Sequence, residues 1–194
     1  MAKRYVLFAS LPYAYSILRP LQAEIRARGD DVAWYLESTC ENLLDDTEVL
    51  LANIDDVKSY DPLAIFACGN FIYHFLPGIK VAVFHGYAVG KRGEKGNVLD
   101  DHFTIRNWFD LYCTQGPSST PVFKQLEEKL GFFKCYETGW CKVDPFFTEP
   151  TLQPLENSPP QTAFAQKWHA ANDTYSENQN EHGFSALNAC SGFI

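Results

Sequence analysis

The chain is predicted to be an α/β protein built on a doubly wound, mostly parallel sheet, and three observations carry that reading. Six short apolar runs recur between residues 5 and 137. Stretches with helical periodicity lie between several of them, and a glycine or a cluster of polar residues follows most of the runs. Alternation of this kind, with strands apolar enough to be buried on both faces, is the signature of parallel sheets covered by helices.

The first strand is predicted at residues 5–9, Tyr5-Val6-Leu7-Phe8-Ala9. Lys3 and Arg4 precede it, but the apolar stretch stops at Ser10, with Pro12 and Arg19 close behind, so it is too short for a signal-peptide core. A helix over 16–28 follows, with Ile17, Leu18, Leu21 and Ile25 on one face, Pro20 in its first turn and Gly29 just beyond its end. The second strand is 32–36. The segment 45–60 holds a short strand near Val49-Leu50 and a helix from Ile54. Strands at 63–67, 80–84 and 109–113 come next. A helix over 117–130 opens after Gly116, offers Ser118, Ser119 and Thr120 as caps, carries Val122, Phe123, Leu126 and Leu130 on one face, and stops at Gly131. The last strand is 134–137. Residues 1–147 therefore read as one doubly wound domain.

From 148 to 194 the chain contains four prolines, one lysine and no arginine, with no sustained period of 2 or 3.6. That segment reads as an irregular tail, disordered or loosely docked, with one amphipathic patch from Ala163 to Trp168.

Composition narrows the classes of function. At 194 residues, 46% hydrophobic, a single domain buries roughly 70% of the surface of its unfolded chain. A net charge of −8 excludes a broad nucleic-acid footprint, so an anionic ligand must be held by a local cluster. Six cysteines without CxxC spacing read as reduced thiols of a cytoplasmic protein, with neither a disulfide framework nor a metal site. No run approaches the roughly 18 apolar residues of a membrane span.

His85 ends the run Val81-Ala82-Val83-Phe84 and is followed at once by Gly86. An imidazole there stands where open α/β sheets place their ligands, and it suits a general base. The segment from Gly86 to Gly96 holds four glycines together with Lys91, Arg92 and Lys95, which suits close approach to a phosphate. It is not a P-loop: three residues separate Gly86 from Gly90 where four are required, and Arg92 stands in place of the magnesium-binding hydroxyl. Ala9-Ser10-Leu11-Pro12 likewise lacks the glycine-rich turn of a dinucleotide site. Two further strands end the same way, at Thr114-Gln115-Gly116-Pro117-Ser118 and at Glu137-Thr138-Gly139. Parallel neighbours would bring all three endings to one rim, with Gly116, Ser118 and Gly139 near a phosphate and the following helix lending its N–H groups.

Taken in order, VAVFHG at 81–86, FDLYCTQGPSS at 109–119 and ETGWCKVDPFF at 137–147 resemble the CDP-glycerol glycerophosphotransferase family, which builds teichoic-acid-type polymers. The third motif departs from the family by having Cys141 and Lys142 where proline and arginine are common. The resemblance implies that residues 1–147 are Rossmann-like and form the N-terminal, acceptor-side half of a two-domain glycosyltransferase-type fold, with CDP-glycerol and a glycerol-phosphate acceptor as partners. It implies no cofactor, and a second domain or polypeptide completing the cleft. It also implies a cytoplasmic location with peripheral contact at the inner face of the membrane. His85 matches the catalytic histidine; the roles of Gly86, Lys91 and Arg92 at phosphate follow from their position alone. A nucleotide-sugar 2-epimerase or glycosyltransferase half-domain shares the architecture, and a non-catalytic phosphate-binding domain is the reading from outside the enzymes.

Overall fold

The computed structural model describes residues 2–84, 105, 108–117 and 119–143. Seven parallel strands form one sheet: β1 (Arg4–Ala9), β2 (Asp31–Leu36), β3 (Leu50–Leu51), β4 (Ala64–Ala67), β5 (Ile79–Val83), β6 (Leu111–Thr114) and β7 (Lys134–Glu137). Their spatial order is β3-β2-β1-β4-β5-β6-β7, and every pairing is parallel. This is an α/β, Rossmann-like fold. The expectations for the tail at 148–194, and for any packing of it, lie outside the described residues.

Helix α1 (Tyr13–Ala27) covers one face of the sheet. Its Ile17, Leu18, Leu21 and Ile25 meet Leu7, Trp34, Phe66 and Val81. Helices α2 (Ile54–Tyr60) and α3 (Thr120–Leu130) cover the other, where Val57 and Phe123 join Phe8, Ile65, Ala82 and Tyr112. Alternation along each strand sorts the two clusters: Leu7 and Ala9 face α1, whereas Val6 and Phe8 face the opposite layer.

Two helix starts differ from the sequence-based expectation. Helix α1 begins at Tyr13, three residues before Ser16, so Pro20 lies inside it and not in the first turn. The missing N–H leaves one rung of the helix unmade, and the buried stripe from Ala14 to Ile25 holds the element together regardless. Replacing Pro20 by alanine is therefore expected to raise stability by about 1–3 kcal/mol, less the unfolded-state entropy that proline removes. A chemical denaturation midpoint measures it. Helix α3 begins at Thr120 and not Pro117, because the Gly116 carbonyl accepts both the Ser119 and the Thr120 N–H, each at 3.0 Å, in a turn that precedes the helix.

Polar contacts tie the layers to the sheet. The buried Glu48 carboxylate accepts from Arg19 Nη2 at 2.8 Å, from Arg19 Nε at 3.1 Å and from Gln22 Nε2 at 2.9 Å, while Gln22 Oε1 accepts from the buried Trp34 indole. At the β7 edge, Glu127 of α3 accepts the Cys135 N–H at 2.9 Å and pairs with Lys124 and Lys134. Its carboxylate thereby occupies a backbone donor that an edge strand otherwise presents to another chain.

Candidate functional site

The C-terminal ends of the strands form one rim. β5 leaves the sheet at Val83, paired with Cys113, and Thr114 at the end of β6 pairs with Glu137 at the end of β7. Gly116 and Gly139 each stand two residues past their strands, and the turn after β7 is drawn onto β6 by Thr138 N and Gly139 N, which donate to Thr114 O at 2.9 and 3.2 Å. His85, Gly86, Lys91, Arg92 and Ser118 lie outside the described residues. Phe84, the last described residue before His85, packs on Phe123 with ring centroids 5.3 Å apart.

The N-terminus of α3 is more occupied than the sequence suggests. Ser119 gives no side-chain cap; its hydroxyl donates to Gly116 O at 3.2 Å. Thr120 Oγ1 donates to Glu137 Oε2 at 2.5 Å and lies 2.8 Å from Thr114 Oγ1. A carboxylate from the end of β7 thus already sits at the positive pole of the helix, where a phosphate had been expected. Beside it, Gln115 is 6% exposed, and its amide nitrogen has no hydrogen-bond partner among the described residues. At the end of the β7 turn, Lys142 lies over the Trp140 ring at 5.5 Å, and Cys141 Sγ donates to Ile17 O at 3.0 Å, fastening this turn to α1.

A second part of the rim was not anticipated. β1 lies between β2 and β4, so the chain leaves β1 toward one side of the sheet and resumes at β4 on the other. Such a switch point opens a crevice outside the strand ends. Glu37, immediately after β2, donates its N–H to Ala9 O at 2.8 Å. Tyr73, from the segment after β4, reaches across and donates its hydroxyl to Glu37 Oε2 at 2.6 Å. That bond, followed by burial, pushes the Tyr73 phenol up to about 12. Phe71 packs edge-on against Tyr73 at 5.2 Å and Trp108 at 5.4 Å, and remains 37% exposed. On the far side of the crevice, Ser10 Oγ and Tyr13 Oη converge on Gly69. Residues 36 apart in sequence meet here through the strand order alone, which is why composition and spacing gave no sign of them.

Among the described residues, no group of three or more His, Cys, Asp or Glu side chains could hold a metal ion. Among the same residues, Cys40, Cys68, Cys113, Cys135 and Cys141 form no disulfide with one another, and no helix is long and apolar enough to cross a membrane. No family model, curated protein or solved structure matches this chain.

Proposed function

We propose that this chain is the acceptor side of a transferase that moves glycerol phosphate from CDP-glycerol to a glycerol-phosphate-type acceptor. The reading is supported by one observation above all: β5, β6 and β7, the strands that carry the three motifs, are adjacent, parallel and end in register. In the proposed reaction an acceptor hydroxyl attacks the β-phosphorus of CDP-glycerol. A new phosphorus–oxygen bond forms, the bond to the α-phosphate oxygen breaks, CMP leaves, and His85 takes the hydroxyl proton. Lys91 and Arg92 neutralise phosphate charge. With Glu137 already at the α3 N-terminus, the reading assigns the anion to this basic segment and not to the helix pole.

Calorimetric titration of the full chain tests the assignment of sides. Glycerol 3-phosphate is expected to bind and CMP is not. Lys91→Ala is expected to weaken glycerol 3-phosphate about tenfold at low salt, with a smaller difference at high salt, because a partly screened charge is lost. Tight CMP binding with no response to glycerol 3-phosphate would reassign the chain to the donor side.

A further inference from the structure

We infer that the crevice at the switch point between β1 and β4 is a subsite for an uncharged polyhydroxylated group, a glycerol or sugar moiety, held by Glu37 and Ser10 beside the ring of Phe71. The inference deepens the function proposed above and rests on it for the identity of the polyol; the site itself stands on the following geometry.

Glu37 is held in place from two sides. Tyr73 Oη donates to Oε2 at 2.6 Å, and the Ser38 N–H and hydroxyl reach Oε1 at 3.2 and 3.4 Å. Three donors on a carboxylate with about four acceptor positions leave one for a ligand hydroxyl, on an oxygen whose orientation is already set. A carboxylate after the strand next to β1 is the usual acceptor for vicinal hydroxyls in doubly wound sheets. Ser10 Oγ and Tyr13 Oη each lie 3.8 Å from the point that a Gly69 side chain would occupy, so the missing side chain leaves room for a ligand atom beside Ser10 Oγ. Ser10 Oγ has no hydrogen-bond partner among the described residues. Phe71 supplies an apolar surface at the same rim, held by Tyr73 and Trp108.

The charge of these segments decides the class of ligand. Residues 10–13, 37–41 and 68–76 contain no lysine or arginine, so these segments offer a phosphate no counter-charge against Glu37. Hydroxyls suit the crevice instead, since they donate to the carboxylate and accept from Ser10 while their carbon skeleton packs on the aromatic ring.

Saturation-transfer NMR on the full chain with glycerol and sn-glycerol 3-phosphate as probes, and phosphorus line broadening with inorganic phosphate, test the subsite, using Glu37→Gln and Gly69→Ala. Gly69 is outside the left-handed backbone region, and an added methyl would meet only ordinary 3.8 Å contacts, so its melting temperature is expected to be unchanged. Glycerol is expected to show saturable transfer that falls about tenfold in both variants, the loss typical of one hydrogen bond to a charged acceptor. Inorganic phosphate is expected to be insensitive to both. Absence of transfer to glycerol, or equal transfer in the variants, would overturn the subsite. If glycerol 3-phosphate binds but ignores both variants, the subsite fails and the transferase reading survives. If glycerol binds here and glycerol 3-phosphate does not compete, the subsite stands and the transferase reading fails.

Discussion

Gly78→Ala is expected to destabilise the domain by about 3–5 kcal/mol, a large share of the roughly 5–15 kcal/mol that ordinary domains have. Gly78 immediately precedes β5 and holds φ at +75°, a conformation that is strained for any residue with a side chain. A methyl group there would lie 2.3 Å from the Pro62 carbonyl oxygen and 3.0 Å from that of Leu63. Both obstacles are backbone atoms, and they lead directly into β4. Relief requires moving β5 away from β4, which breaks the Ile79 N–H bond to Leu63 O at 3.0 Å and the Ala64–Ile79 pairing at the centre of the sheet. A denaturant midpoint close to that of wild type would show that the strands can part locally without cost.

Glu48→Ala is expected to cost about 2–4 kcal/mol, more than the volume of the lost side chain accounts for. Its side chain is 1% exposed, and it joins the buried Gln22, which accepts from the Trp34 indole, to the partly exposed Arg19. Removing it leaves the Gln22 amide and the Asp45 N–H, which donates to Glu48 Oε2 at 3.1 Å, without their acceptor. It also removes one of the ties on the 37–49 segment, leaving Arg19 to hold it through Leu43 O at 2.7 Å. Burial pushes the Glu48 carboxyl up, but Arg19, the backbone donor of the 45–48 turn and Gln22 outweigh it and hold the group below the usual carboxylate range. The folded form thus binds the proton more weakly than the unfolded form. The stabilisation is fully present above the unfolded carboxylate value, about 4.3, and is lost as pH falls through the lower folded value. Stability measured against pH should fall steeply on the acid side for wild type and less steeply for Glu48→Gln. Parallel acid limbs would mean that other carboxylates dominate.

The strand pattern was legible because parallel strands buried on both faces are apolar throughout, as Val6-Leu7-Phe8-Ala9 and Ala64-Ile65-Phe66-Ala67 show. Even the two-residue β3 fell within a residue of its predicted position, since the edge strand ends at Leu51 before the Asn53 cap of α2. Helix starts were less legible. The start of α1 has no side-chain cap to announce it, and Pro20 invites a later start that the packing of Ala14 and Tyr15 overrides. At the rim, glycines after strands mark the ends of β6 and β7 directly. The contact of Glu137 with the Thr120 hydroxyl at the start of α3, and the meeting of Glu37 with Tyr73, arise from strand order and register, which no local pattern encodes.

The central claim is that His85 faces a glycerol phosphate acceptor, and its own imidazole signal tests that claim most directly. The chain has five histidines, and the resonance lost in His85→Gln identifies the one in question. Titrating the isotopically labelled full chain with sn-glycerol 3-phosphate is predicted to shift that resonance saturably, with the response weakened in Lys91→Ala and absent with CMP. An unmoved His85 resonance at saturating glycerol 3-phosphate, or a shift produced by CMP instead, would contradict it.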